Sequence, residues 1–176
     1  QVYTPKNMKV NSLVLACVPL IVFHFMTVAA LAQPLQFGAS SSELGVTLRQ
    51  INSVGTFMMV TAHPDDENNA LLTLFSKGKG HRTVLLTATR GDGGQNEIGA
   101  ELFDGLAVLR SEELLAAHRL DGAEQFFTRA VDFGYSFSVE ETFSRWGRQE
   151  ILGDMVRMIR TVRPDVVSAM SPDGRG

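Results

Sequence analysis

Four short apolar runs recur along the chain with longer helix-patterned stretches between them, and this alternation narrows the available folds more than any other feature. The runs are "TFMMVTA" from Thr56, "RTVLLTAT" from Arg82, "AEQFFTRA" from Ala123 and "DVVSAM" from Asp165. Their length and content suit strands. Continuously apolar strands must be covered on both faces, and parallel neighbours need crossover connections that helices supply. The pattern therefore predicts an α/β fold: a Rossmann-like, open, mainly parallel sheet with helices on both faces and its carboxyl-terminal part missing.

The intervening stretches supply the helices. "ELGVTLRQI" suits a short helix, and a second is expected from about Asp66 to Lys77. A longer one is expected from about Ala100 to Leu120, with Leu106, Leu109, Ala116 and Leu120 on one face. The segment from Arg145 to Val162 is amphipathic, with Ile151, Met155, Ile159 and Val162 in one stripe, and Arg163-Pro164 stops it. "RGDGGQNEIG" is too rich in glycine for an element interior and reads as a loop. "VDFGYSFSVEETFS" reads as an irregular excursion.

The amino-terminal region differs. Met8-Lys9 precedes "VNSLVLACVPLIVFHFMTVAALA", an apolar run ending in the small-x-small triplet Ala30-Leu31-Ala32. That is the layout of a cleaved secretory signal. A permanent membrane helix is the alternative, since the run approaches the roughly 20 residues a bilayer requires. The small residues at 30 and 32 favour cleavage. Residues 1–32 are thus expected to be upstream residues and signal peptide, with residues 1–7 ahead of the start methionine, and 33–176 one domain that is secreted or periplasmic. No membrane contact is expected beyond the signal. Cys17, the only cysteine, falls within this run, which continues well past it and so argues against a lipid anchor; with the signal removed, the exported part has no disulfide. A net charge of -3 with 20% charged residues argues against a broad basic surface, and so against a nucleic-acid partner.

In open α/β sheets ligands gather beyond the carboxyl ends of the strands. "AHPDDE", Ala62 to Glu67, lies at that edge. An imidazole and a carboxylate three residues apart across a tight corner can reach one ion, and nitrogen with oxygen donors suits zinc, at roughly 2.0–2.2 Å each. Pro64 pre-sets the backbone, and acids in a first helical turn are favoured by the helix dipole. The alternative is that Asp65, Asp66 and Glu67 are solvated first-turn residues and His63 merely ends a strand.

"AHPDDE" after an apolar strand resembles the signature of the PIG-L/LmbE-like de-N-acetylases, zinc hydrolases that remove acetyl groups from N-acetylglucosamine-containing substrates. The resemblance runs from about Thr56 to Asp173. "TATRGDGGQNEIG" resembles the family's T-x-G-x-x-G loop and "LRSEELLAA" its R-x-x-E-L helix. It implies zinc as cofactor, His63 and Asp66 as zinc ligands, Asp65 as the general base, and an N-acetylated amino-sugar as substrate. Zinc polarises an amide carbonyl and activates water, and a neighbouring carboxylate can accept the water's proton. Glu67 has either a supporting or a capping role.

The family completes its site with a histidine-bearing segment after the strand matching "DVVSAM". The third ligand is thus expected beyond Gly176, and the chain is read as the amino-terminal part of a longer enzyme, inactive alone. His24 falls in the signal, His81 at the wrong sheet edge, and His118 on a helix facing solvent; Asp173 could approach the site from its loop. Arg90, Asp92 and Asn96 are candidate sugar contacts in a loop that otherwise needs glycine for positive φ. The loop lacks the G-x-G-x-x-G spacing of dinucleotide sites. Arg110 and Glu113 suit an inward, architectural ion pair. A non-catalytic sugar-binding module of the same fold, or another metal-dependent hydrolase such as a phosphoesterase, stays open.

Overall fold

The computed structural model describes residues 40–94, 96 and 99–170. The expected signal segment with Cys17 and His24, residues 1–7, and the loop carrying Asp173 lie outside the described residues. Helix α1 spans Ser41–Ile51, followed by β1 (Thr56–Thr61), α2 (Asn69–Thr73) and β2 (Arg82–Thr87). Then come α3 (Asp104–Asp121), β3 (Glu124–Phe127), α4 (Val139–Trp146), α5 (Arg148–Val162) and β4 (Val166–Ala169). The strands form one sheet in the order β3-β2-β1-β4, every pair parallel. This is the expected α/β sheet, in a doubly wound order.

Side chains alternate across the pleat, so each strand feeds two cores. Phe57, Met59 and Leu85 pack with Leu72 and Leu114 from α2 and α3 on one face. Met58, Val84 and Leu86 pack with Val162, and with the half-buried Met155 and Met158 of α5, on the other. β2 is buried after its first residue, which its continuous run "TVLLT" anticipates. Among the described residues β4 is an edge strand paired only with β1, and Val166 and Val167 are exposed.

Four local expectations need correction. The first crossover helix begins at Asn69, because Asn68 caps it by accepting the Leu71 N–H, and it passes into a π-helical turn over Leu74–Gly78. The acids therefore precede the helix. In α3 the buried stripe is Leu106, Ala107, Ser111, Leu114, His118 and Asp121, while Leu109 and Leu120 are exposed and Ala116 faces out. Three polar members of that stripe satisfy their hydrogen bonds internally, which outweighs the apolar pattern. The excursion after β3 contains α4, opened by a reciprocal cap: the Ser138 hydroxyl accepts the Glu141 N–H and the Glu141 carboxylate accepts the Phe137 N–H. Finally, the helix expected from Arg145 begins at Arg148, since Gly147, at φ +76°, breaks it from α4, and Ile159 is partly exposed.

Candidate active site

β1 lies where the strand order reverses, with β2 and β3 to one side and β4 to the other, so the loop after it opens at the crevice where doubly wound sheets hold ligands. The corner is fixed from within. Thr89 N–H donates to the Ala62 carbonyl at 2.9 Å, tying the end of β1 to that of β2. The Asp66 carboxylate accepts the His63 N–H at 2.8 Å, and Glu67 accepts the Asp65 N–H at 2.9 Å. Asp65 adopts φ +95°, a conformation rare outside glycine. The acid run is thus folded back on its own backbone, which a helical first turn would not allow.

The same fold brings His63 and Asp66 together: Nδ1 lies 3.3 Å from Asp66 Oδ2. The other ring nitrogen, Nε2, lies 3.5 Å from Oδ1 of Asp132, a nearly buried carboxylate from the loop after β3. Hydrogen bonding to Asp132 raises the His63 pKa above its ordinary 6.5, against the lowering effect of burial and aided by the charges of Asp132 and Asp66. Burial pushes the Asp132 carboxyl up, but hydrogen bonds from His63 and from the Gly134 and Gly93 N–H groups outweigh it and leave it lowered.

Arg110, from α3, supports the corner from below. Its guanidinium donates to the Pro64 carbonyl at 2.7 Å and pairs with the Asp65 carboxylate. Arg110 thus pairs with Asp65 and not with Glu113 as expected, and Glu113 is exposed. The glycines of "RGDGG" make room: a Cβ on Gly91, at φ +72°, would lie 2.6 Å from the Arg110 guanidinium, and one on Gly93 would lie 2.8 Å from the Asp132 carbonyl oxygen. His63, Asp65, Arg110 and Asp132 share a cavity of about 510 Å³ with Tyr135 and Trp146.

The three sugar-contact candidates are placed differently. Arg90 stacks on Phe127, 4.1 Å from the ring centroid, and donates to Ser111 Oγ. Asp92 accepts the Asp132 N–H, so it braces the loop that presents Asp132. Asn96 bonds to Glu101 and to the Gly99 N–H within its own loop. His81 sits with Ser53 at the amino end of β2, away from the crevice. His118 is buried, not solvent-facing, with Nδ1 against both Asp121 oxygens and Nε2 against Gln125 Oε1. Asp132, the role of Arg110 and the aromatic lining were missed from sequence. Asp132 had a usable signal, since it follows β3 at the same sheet edge.

The donor set suits part of a zinc site. His63 nitrogen and Asp66 oxygen are close enough for one ion to bridge, and both are ordinary zinc ligands. Among the described residues no group of three or more histidine, cysteine or acidic side chains is arranged to hold a metal.

The sequence profile of GlcNAc-PI de-N-acetylase (PIG-L) matches residues 58–176. A 1D-myo-inositol 2-acetamido-2-deoxy-alpha-D-glucopyranoside deacetylase from Streptomyces scabiei is 29% identical over 135 residues, covering 66% of this chain and 42% of that protein. Its counterpart from Kineococcus radiotolerans is 29% identical over 153 residues, covering 73% and 42%. The chain therefore spans about two fifths of the length of these curated relatives. The N,N'-diacetylchitobiose deacetylase of Pyrococcus horikoshii, solved with its inhibitor MPG, aligns with a TM-score of 0.51 at 17% identity, over 93% of this chain and 51% of that one. That likeness bears on the fold alone.

Proposed function

Because the chain belongs to the PIG-L family of GlcNAc-PI de-N-acetylases, we propose that it forms the amino-terminal part of a zinc-dependent enzyme that hydrolyses the N-acetyl amide of an N-acetylglucosamine-containing substrate. The observation that carries the reading is the His63–Asp66 pair at a strand-end corner, with His63 and Asp65 lining the adjoining cavity. In this reading His63 and Asp66 hold the zinc. Zinc bound there would supply Lewis-acid polarisation of the amide carbonyl and make water a usable nucleophile near neutral pH.

The remaining work falls to this chain's own side chains. Asp65 lines the cavity with its carboxylate largely exposed, and we assign it the proton transfer from the attacking water to the leaving amine. Arg110 is a positioning residue that fixes this carboxylate and the Pro64 carbonyl. Asp132 orients His63 through the nitrogen that faces away from Asp66, as carboxylates commonly do for metal-binding histidines. Arg90, Asp92 and Asn96 then act indirectly, by shaping the loops. Export is part of the proposal: amino-terminal sequencing of the exported protein should begin near Gln33.

The test uses the full-length protein. Zinc should bind at one equivalent and acetate should be released from an N-acetylglucosamine conjugate. Asp65→Asn should keep the zinc and lose on the order of 10²–10⁴-fold in kcat. Full turnover by that variant with zinc bound would refute the general-base assignment, and a zinc-free protein under saturating zinc would refute the whole reading.

A further inference from the structure

We propose that Glu67 is the positioning residue of the general base: its carboxylate holds the Asp65 backbone so that the Asp65 side chain meets the cavity, and it does so without acting on the metal corner. The proposal rests on the de-N-acetylase reading, in which Asp65 moves the proton, and adds the residue that aims it. Position rules out a capping role for Glu67. Helix α2 begins at Asn69 and is capped by the Asn68 side chain, so Glu67 lies ahead of the cap. Nor does Glu67 line the cavity shared by His63, Asp65 and Arg110; it borders pockets on the flanks of the corner. Its influence on turnover therefore passes through another residue.

That residue is Asp65. The planar peptide unit joining Pro64 to Asp65 is gripped at both polar edges: Arg110 donates to its carbonyl at 2.7 Å, and Glu67 accepts its N–H at 2.9 Å. The φ angle of Asp65 is the rotation between this plane and the carbon that bears the carboxylate. With the plane fixed and the carboxylate paired to Arg110, the value of +95° is over-determined. A residue other than glycine keeps such a conformation only where its surroundings impose it. The Glu67 contact is charge-assisted and so stronger than a neutral hydrogen bond. Without it the plane is tied at its carbonyl edge alone, and Asp65 can relax toward negative φ, which swings its carboxylate off line. The metal corner is tied separately: Asp66 accepts the His63 N–H at 2.8 Å and faces His63 Nδ1. Adjacent acids thus serve different partners, Asp66 the imidazole and Glu67 the base.

The experiment follows acetate release by the zinc-loaded full-length protein from N-acetylglucosamine and from its β-1,4-linked dimer. Glu67→Ala should lower kcat by about 10–100-fold with KM changed less than about threefold, since a small misplacement of a reacting group is costly. Its zinc affinity should fall by less than about tenfold, the loss expected of a residue that orients a metal ligand. Glu67→Gln, whose amide oxygen still accepts the N–H, should recover most of the kcat. In an Asp65→Asn background Glu67→Ala should cost nothing further, because the residue it positions is already disabled. A second readout needs no turnover: exchange of the Asp65 amide hydrogen should speed up at least about tenfold in Glu67→Ala and stay near the wild-type rate in Glu67→Gln. Unchanged kcat in Glu67→Ala, an equal further loss in the Asp65→Asn background, or loss of zinc overturns the positioning role and leaves the hydrolase reading intact. A wild type that binds zinc and releases no acetate from either sugar removes the hydrolase reading, and the positioning role with it.

Discussion

Two histidines in this protein face an aspartate three residues further on, and the two pairs have opposite fates. His118 and Asp121 close the carboxyl-terminal end of α3, buried, with Nδ1 2.9 Å from a carboxylate oxygen and Nε2 engaged by Gln125, which itself bonds to Thr87. Asp121 also accepts the Ala123 N–H, so its hydrogen-bonding capacity is spent inside the protein. His63 and Asp66 lie at a strand end, longer apart, with the imidazole about a third exposed and open to a cavity. The same residue types at the same spacing make a structural rivet in one place and a candidate ligand pair in the other. What separates them is closeness and exposure: the His118 pair is buried at 2.9 Å, while His63, held more loosely between Asp66 and Asp132, borders a cavity, a property of the surroundings and not of the spacing.

Variants at the two pairs should therefore part company. His63→Ala should remove zinc and lower kcat/KM by at least about 10²-fold, with stability changed by no more than about 1 kcal/mol in urea unfolding of the metal-free protein. His118→Ala should do the reverse, costing about 3–5 kcal/mol because Asp121 and Gln125 lose their buried partner, with kcat retained in the folded fraction. If His118→Ala lost zinc and kept its stability, the distinction drawn between the pairs would fail.

A third acid sharpens the contrast because it is paired without histidine. Hydrogen bonds and charge from Arg129 hold the Asp154 carboxyl at about 2, below its ordinary 3.8, burial notwithstanding. A lowered carboxyl pKa stabilises the fold above about pH 3.8, and that contribution is lost as pH falls through about 2. Asp154→Asn should cost about 1–3 kcal/mol at neutral pH and flatten the acid limb of a stability profile between those values. The smallest effect is spectroscopic. In metal-free protein His63 should titrate above 6.5 by NMR, and Asp132→Asn should bring it down. The raised value means that the stability gained from this contact is complete below about pH 6.5 and fades as pH rises through the folded-state pKa.

Strands were the legible part of the sequence. Apolar runs such as "TFMMVT" and "RTVLLT" have few alternatives once helices flank them, and all four strands fall where those runs lie. The placement of His63 just past the end of β1 was legible too, because the apolar run stops there. Helix faces were not: His118 reads as solvent-facing until Asp121 and Gln125 are seen to enclose it, and Arg110 reads as paired with Glu113 until the fold carries it to Asp65, 45 positions away. Asp132 was missed although it follows β3 at the same sheet edge, because the path of that loop is what carries its carboxylate to His63. The cap Ser138-x-x-Glu141 was readable locally and would have revealed α4.

Asp65 sits at φ +95°, where an ordinary side chain costs on the order of 1–3 kcal/mol relative to relaxed backbone. Glycine would relieve that cost and abolish the carboxylate at once. A screen for heat tolerance and a screen for turnover, run on the same library, should consequently pull this one codon in opposite directions.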